Sequence, residues 1–457
     1  MVHEKYLPLN RLMNERHQTI VATHQGNEQN WQQFKTDVFE LSQQLSQHNE
    51  HKWAICFQDS YYCAVAFMAL AHAGKHLILP SNYQPAALEE LSNHFDATLH
   101  DGILTNLFNK PAYTLPLVPV TATEEQVTPH FNEFSLDEVE LTLFTSGSSD
   151  TPKPIEKSVS HLNNEVEQLE ALWGKTLSDS NICSTVSHQH IYGLLFRVLW
   201  PLCSGRTFDR VNLVYPEQVL LEAENNQTLI SSPALLKRVG TAEGSGQYRA
   251  LFSSGGPLPE EAALCSLERL GVRPIEVFGS TETGGIAYRQ QHSSTTPWTL
   301  FPCVEAQINP EGCLAIKSPF VFEKQWYNTS DYCELLPNDQ FMLKGRADRV
   351  VKIEEKRLSL TEVEKRLNQL SSIEESAVLT SDDESRTILC AVITLTPYGH
   401  DRITLIGKGK FWIELRKQLR EWLEPVGIPR KFRVVEAIPT NSQGKRIKRD
   451  LERLFTL

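Results

Sequence analysis

The chain has 457 residues, 40% of them hydrophobic and 22% charged, with 23 glycines and 24 prolines; this is the composition of a globular protein of two or three domains and excludes low-complexity, collagen-like and disordered classes. A formal net charge of −12 argues against general nucleic-acid binding, which needs a basic surface to displace counterions from phosphate. Nine cysteines are scattered without a C-x-x-C pair, which fits reduced, packed thiols rather than a disulfide framework or a zinc site.

In chain order, residues 1–20 lack the basic start, apolar core and small-residue cleavage site of a secretory leader. No run approaches the roughly 18 apolar residues of a spanning helix, so the expected location is the cytoplasm, with no membrane partner. Residues 31–50 and 61–73 read as helices, the second (YYCAVAFMALAHA) apolar on every side and therefore buried. Residues 53–57 and 77–79 read as short buried strands. Strand, helix and strand in that order predict a parallel sheet and an α/β fold. The pattern recurs at residues 141–144, 229–230, 251–252 and 275–278, each followed by a polar or glycine-rich turn. Ligands of open α/β sheets sit beyond the carboxyl ends of the strands, so those turns are where chemistry is sought.

After about residue 300 the texture changes to short strands behind turn signals, Cys313–Lys317 after Pro310-Glu311-Gly312 and residues 340–343 after Pro337-Asn338-Asp339. Helices at 361–370 and 410–423 and strands at 376–380, 387–395 and 432–436 describe a smaller α+β module. The predicted division is therefore a large domain over 1–345 and a small one over 346–457, with a hinge at 346–350. Residues 346–457 hold 22 basic against 17 acidic side chains, the remainder 22 against 39. Solvated helix faces explain that asymmetry. So does a basic small domain that closes over phosphates or meets an acidic partner.

The first chemical signal is Leu143-Phe144-Thr145-Ser146-Gly147-Ser148-Ser149-Asp150-Thr151-Pro152-Lys153, an apolar strand running into a hydroxyl-rich loop that ends in lysine. Glycine lets such a loop turn its N–H groups inward, the hydroxyls donate further hydrogen bonds, and lysine adds positive charge, so the loop can wrap polyphosphate. It is not a Walker A loop, because the second glycine and the Ser/Thr after lysine are absent. Taken alone it fits an ordinary turn equally well, since these residues dominate turns. The second signal is Phe278-Gly279-Ser280-Thr281-Glu282-Thr283-Gly284-Gly285, also at a strand end. A lone carboxylate among small residues suits Mg²⁺, a hard cation that prefers oxygen ligands and nucleotide phosphates. Phe278 is placed to stack on a purine.

With these segments in view the chain resembles the adenylate-forming (AMP-binding) superfamily, which includes acyl- and aryl-CoA ligases, firefly luciferase and nonribosomal peptide adenylation domains. Its signatures occur in order over roughly residues 140–450. Thr145, Ser146, Gly147, Ser148, Ser149 and Lys153 match the family's phosphate loop. Ser254-Gly255-Gly256-Pro257-Leu258 resembles the segment that lines the adenine and acyl pockets. Phe278, Gly279, Ser280, Thr281 and Glu282 match the aromatic-Gly-x-Thr-Glu motif, which implies Mg²⁺ binding by Glu282. Asn328-Thr329-Ser330-Asp331 corresponds to the Thr-Gly-Asp motif, giving Asp331 the ribose hydroxyls.

Gly345-Arg346-Ala347-Asp348-Arg349-Val350-Val351-Lys352 resembles the hinge motif, with Arg346 on ribose or phosphate and Asp348 as pivot. Arg357 falls at the arginine that follows it. Ser442-Gln443-Gly444-Lys445 resembles the terminal Gly-Lys element, making Lys445 the catalytic lysine of adenylation. Ser187-His188-Gln189-His190-Ile191-Tyr192-Gly193 resembles the acyl-pocket gate, with His190 at the gating place. The resemblance implies a large layered α/β domain, a small mobile α+β domain, ATP and Mg²⁺ as cofactors, and CoA or phosphopantetheine as acceptor. It further implies a small carboxylic acid substrate and, as a partner, an acyl carrier protein. Short bacterial members of this kind occur with fatty-acid or aryl-polyene biosynthesis.

Three departures stand out. Asp150 replaces a glycine of the phosphate loop, Ser330 replaces a glycine beside Asp331, and Glu355 stands where many relatives have a glycine beside the pantetheine tunnel. The functional expectation is therefore an AMP-forming acid–thiol ligase. One rival is adenylation with transfer by another protein; the other is a non-catalytic nucleotide- or acyl-binding regulator. His188 and His190 also form an H-x-H, but zinc needs a third ligand, and Lys445-Arg446-Ile447-Lys448-Arg449 reads as a basic helix start in an acidic protein.

Overall fold

The structure, a computed structural model, describes residues 6–16, 20–81, 84–102, 110–115, 131–145, 152–322, 325–353, 356–383, 386–423, 425–440 and 446–455. It divides into two compact units, Met1–Ala306 with Ile316–Tyr327, and Gln307–Ala315 with Asn328–Leu457.

The first unit is built on two sheets. One has six strands in the order Ala112–Thr114, Ala97–His100, Lys52–Cys56, His76–Leu79, Glu140–Thr145, Lys153–Ser158. The first five run parallel and the last antiparallel. Residues 53–56 and the whole of His76–Leu79 are buried, as interior strands of a parallel sheet must be when both faces are covered. The crossover between them is the helix Ser60–His72, whose first turn is capped by Asp59 accepting from the Tyr61 N–H at 2.8 Å. The second sheet runs within this unit in the order Asn27–Asn30, Ile20–His24, Phe208–Asp209, Asn181–Ser184, Gln227–Ser231, Ala250–Ser253, Ile275–Ser280, Gly284–Gln290, Trp298–Leu300. Six of these, from Ile20–His24 to Ile275–Ser280, are parallel.

The helix Val159–Leu177 lies against this second sheet. Its Trp173 ring meets Phe252, Tyr288 and Phe301 at centroid distances of 5.1, 5.3 and 6.0 Å, a cluster whose edge-on geometries are the favoured ones for aromatic rings.

In the second unit, Tyr327–Leu336 and Gln340–Arg346 form a hairpin whose turn places Asn338 and Asp339 at φ of 62° and 53°, a left-handed conformation that Asn and Asp tolerate better than most residues. Beyond it, Ile373–Asp383, Arg386–Leu395 and Lys431–Val434 make a three-stranded sheet. Val363, Leu367, Val378, Ile393, Phe411, Leu415 and Leu419 form its core, drawn from the helices Leu360–Asn368 and Lys408–Leu419 and from the sheet.

The expected helices at 31–50 and 61–73 are Trp31–Ser46 and Ser60–His72. Those at 361–370 and 410–423 are Leu360–Asn368 and Lys408–Leu419. One C-terminal strand is longer than expected: Ile373–Asp383, expected at 376–380, pairs along its length with Arg386–Leu395, the strand expected at 387–395. Asp331 pairs with Arg346 and Tyr332 with Gly345 in one continuous hairpin, so strand pairing does not break at residue 345.

Candidate nucleotide and acyl site

The phosphate-loop signature sits on a β-hairpin. Glu140–Thr145 runs antiparallel to Lys153–Ser158 with Thr145 opposite Lys153, so the two ends of the motif are cross-strand neighbours and Lys153 is exposed at the start of its strand. Ser146, Gly147, Ser148, Ser149 and Asp150 lie outside the described residues. A Walker loop joins a strand to a helix; this one joins two strands, and the helix Val159–Leu177 begins only after the second.

The other first-unit motifs emerge from the carboxyl ends of three strands of the parallel run, the last two of them adjacent. Asn181–Ser184 leads to His190, Ala250–Ser253 to Ser254-Gly255-Gly256, and Ile275–Ser280 to Thr281-Glu282. Ser254 Oγ donates to the Val277 carbonyl at 2.8 Å, tying the second segment to the third, while Gly255 and Gly256 are exposed. Phe278 is half-buried, with its ring 5.4 Å from that of Trp298. The turn after it is locked from within. Thr283 Oγ1 accepts from the Ser280 N–H at 3.0 Å and donates to the Gly284 carbonyl at 2.8 Å. Gly279 pairs with Gly285 and Ser280 with Gly284, which leaves Thr281 and Glu282 at the tip, each half-buried.

Two residues that the motifs did not single out hold that tip in place. Lys157, on the phosphate-loop hairpin, donates from Nζ to the Glu282 carbonyl at 3.1 Å and to the Phe320 carbonyl at 2.8 Å. The side chain is 2% exposed, so its charge is stabilised by carbonyl dipoles rather than by water. Glu165, on the helix Val159–Leu177, accepts the Gly285 N–H at 2.8 Å. Burial pushes its carboxyl up to about 7, against the lowering effects of the Gly285 N–H and of Lys157. Gly284 takes φ +66° and a Cβ there would lie 2.5 Å from Glu165 Oε2, so glycine is needed for both the turn and the approach of the carboxylate. The available signal was the alternation of Lys153–Ser158, in which Lys157 falls on the buried phase with Ile155.

The His188-x-His190 segment separates into two roles. The His188 ring donates from Nε2 to the Phe57 carbonyl at 2.9 Å, which leaves Nδ1 to accept from Ser60 Oγ at 3.1 Å. Burial first, and Arg197 next, hold its pKa down to about 3, so it is a neutral strut with both nitrogens engaged and no lone pair for a metal. His190 is half-buried at the entry to the helix Ile191–Gly193. Gly193 allows the chain to fold back here, since a Cβ would sit 2.1 Å from the Ser187 carbonyl oxygen.

In the second unit, Asp331 and Arg346 are cross-strand partners joined from Nη1 to Oδ1 at 3.3 Å. Asp331 is buried, and its own N–H donates to Thr329 Oγ1 at 3.1 Å. The backbone of Arg357 pairs with that of Lys352 in the two-stranded sheet. Lys445, Glu355 and the 441–444 segment lie outside the described residues. Arg446, next in the chain, is anchored to Glu364 at 3.4 Å and to Glu375 at 2.9 Å, and Thr440 and Arg446 pair in an antiparallel bridge.

An enzyme that adenylates an acid is what this set of segments resembles, and comparison with known proteins bears on that class. The chain belongs to the AMP-binding enzyme family, whose sequence profile matches residues 11–323. It is similar to 4-coumarate–CoA ligase of Rhodobacter capsulatus, 24% identical over 304 residues covering 66% of this chain and 73% of the relative. The 4-coumarate–CoA ligase of Halorhodospira halophila is 26% identical over 324 residues, 67% of this chain and 74% of the relative. Among solved structures, ATP-bound MatB from Rhodopseudomonas palustris superposes with a TM-score of 0.81 at 17% identity over 98% of this chain and 99% of that one, and the fold is that of the adenylate-forming enzymes. Among the described residues no helix is long and apolar enough to cross a membrane.

Proposed function

We propose that the chain is an AMP-forming acid–thiol ligase that converts a small carboxylic acid to its acyl-adenylate and passes the acyl group to a pantetheine thiol. The observation that carries this reading is the Lys157 bridge, which fastens the phosphate-loop hairpin to the Glu282 turn inside one unit. The two motifs that must meet a single polyphosphate are thereby held together.

The residues divide the work by charge. Attack of a carboxylate oxygen on the α-phosphorus forms one P–O bond and breaks the bond to pyrophosphate, and it brings two anions together. The Thr145–Lys153 hairpin would hold the phosphates, with Ser146, Gly147, Ser148 and Ser149 supplying donors and Lys153 charge. Oxygen donors at Glu282, Ser280 and Thr281 fit Mg²⁺, which when bound would neutralise the leaving pyrophosphate. Phe278 and Ser254-Gly255-Gly256 would border the adenine, His190 the acid, and Asp331, Arg346 and Arg357 the ribose and phosphate. Lys445 would donate to the reacting centre in this step alone. Rotation of residues 346–457 about 346–350 would then withdraw Lys445 and admit the thiolate, which attacks the acyl carbon and releases AMP.

The likeness to 4-coumarate–CoA ligases favours CoA as acceptor and an aryl acid as substrate. Glu355, charged where many relatives have glycine, favours an acyl carrier protein. A cytoplasmic setting and a role in fatty-acid or aryl-polyene synthesis complete the reading. The test is mass spectrometry of the products formed from ATP, Mg²⁺ and a panel of benzoic, cinnamic and fatty acids, with CoA in one series and holo-carrier protein in the other. A thioester in one series is the expected result and names the acceptor. Acyl-AMP in both series with no thioester would contradict transfer, and no adenylate from any acid would contradict the proposal as a whole.

A further inference from the structure

Along one end of the six-stranded sheet, the amino ends of three adjacent parallel strands bring together a second group of chemistry-bearing side chains. Register places Lys52 beside His76 and Leu77 beside Leu141, so His51, His76 and Glu140 are neighbours at the strand starts. The phosphate-loop motif leaves from the opposite, carboxyl end of Glu140–Thr145. One ring nitrogen of each histidine and a carboxylate oxygen of Glu140 lie within 4.8 Å of one another. The backbone fixes the arrangement: the His76 N–H donates to the His51 carbonyl at 3.0 Å, and the N–H groups of His51 and Lys52 donate to Asp96 Oδ2 at 3.1 and 2.9 Å.

The polarity of the bonds around His76 points outward to a cation. Thr142 has one hydroxyl proton, and it goes to Glu156 Oε2 at 2.8 Å. Thr142 Oγ1 therefore accepts from His76 Nε2 at 2.7 Å, which makes Nε2 the protonated nitrogen and leaves the lone pair on Nδ1. That nitrogen is buried, in a ring 5% exposed, and has no hydrogen-bond partner. It faces Glu140 Oε2 at 3.0 Å, close enough for an ion pair but without hydrogen-bond geometry. A lone pair and a carboxylate oxygen face each other across a gap that a cation would fill. Metal-bound histidines commonly donate their other ring N–H into such a carboxylate-backed chain.

We infer that His51, His76 and Glu140 form a binding site for a divalent cation of the zinc type, backed by Thr142 and Glu156. Two imidazoles and one carboxylate are a donor set for Zn²⁺ and its neighbours rather than for Mg²⁺ or Ca²⁺. Zinc–ligand bonds of about 2.0–2.1 Å put ligand atoms about 3.3 Å apart. His76 Nδ1 and Glu140 Oε2, 3.0 Å apart, are within a few tenths of an ångström of that spacing, and His51, exposed, can close by side-chain rotation.

The site is tested on the full chain, stripped of metal and titrated with Zn²⁺ against a chromophoric chelator. The expected result is one equivalent bound with Kd below about 1 μM and a Tm raised by zinc but not by Mg²⁺. His51→Ala and Glu140→Gln alter exposed side chains and should each weaken that equivalent at least about tenfold, and Thr142→Val should weaken it by a smaller factor. Melting of the metal-free variants at the wild-type temperature shows that they fold. No equivalent tighter than about 10 μM, or undiminished binding by His51→Ala and Glu140→Gln, would overturn the inference. Neither readout depends on the adenylation chemistry.

Discussion

Glu165 is a carboxylate taken out of water to hold one backbone N–H, and that placement has a pH signature. Its folded pKa of about 7 lies above the ordinary glutamate value of 4.5. The folded protein therefore holds a proton that the unfolded chain has released between those two values, and stability falls as pH rises from about 4.5 to about 7. Glu165→Gln retains an oxygen for the Gly285 N–H and removes the charge. Its Tm should rise relative to wild type as the buffer is changed from pH 5 to pH 8; a difference that does not change with pH would contradict the assignment. Lys157→Met keeps the aliphatic stem but loses the bond to the Glu282 carbonyl. We expect adenylation to fall about 10–100-fold, with more Mg²⁺ needed for half-maximal rate, as befits a donor that orients a ligand rather than one that touches substrate. An unchanged Mg²⁺ dependence would show that the bridge does not position Glu282. Glu282 was legible in the sequence because a lone carboxylate among small residues at a strand end is a local pattern. Lys157 was marked only by its phase with Ile155, and Glu165 was not marked at all, because a glutamate in an amphipathic helix reads as solvent-facing until the turn at 281–285 arrives from over 100 residues away.

At the scale of elements, the helix Val159–Leu177 does more than cover a sheet. Besides carrying Glu165, it buries Glu170, which accepts from Arg206 Nη1 at 2.7 Å, Arg206 Nη2 at 3.2 Å and Trp200 Nε1 at 2.6 Å. Both charges of the pair are almost fully buried, so removing one strands the other. Arg206→Ala should destabilise the first unit by about 3–5 kcal/mol, read as a lower first transition in thermal unfolding. Arg206→Ala melting with the wild type would mean that the pair is solvated in solution. The helices Trp31–Ser46, Ser60–His72, Leu360–Asn368 and Lys408–Leu419 and the main buried strands were visible as apolar runs and 3.6-residue periodicity, whereas Val159–Leu177 was not singled out. Hairpin geometry was not, since whether the loop after Thr145 returns as a strand or enters a helix depends on the pairing of Lys153–Ser158, which no local signal specifies. The length of Ile373–Asp383 was underestimated for the same reason: its end pairs through polar residues such as Asp382 with Thr387.

For the whole molecule, the α/β class, the family and the order of motifs could be read from sequence, because several motifs of the first unit follow strand ends, which are marked by glycine and hydroxyl residues. The pairing of Tyr327–Leu336 with Gln340–Arg346 through residue 345 could not, because strand pairing leaves no local signal. The two-step chemistry makes a prediction at this scale. Lys445 is assigned to adenylation only, so Lys445→Ala should lose adenylate formation by about 100-fold or more yet still convert supplied acyl-AMP to thioester at a rate near that of the wild type. Equal loss of both half-reactions would contradict the division of labour between the two conformations. The most direct test of the central claim is ATP–pyrophosphate exchange by the purified protein against benzoic, cinnamic and fatty acids, with Glu282→Gln and Lys445→Ala beside it. The account predicts exchange that requires one class of acid and Mg²⁺ and is lost in both variants. Tight ATP binding with no acid-dependent exchange would contradict it and leave a protein that binds nucleotide without activating an acid.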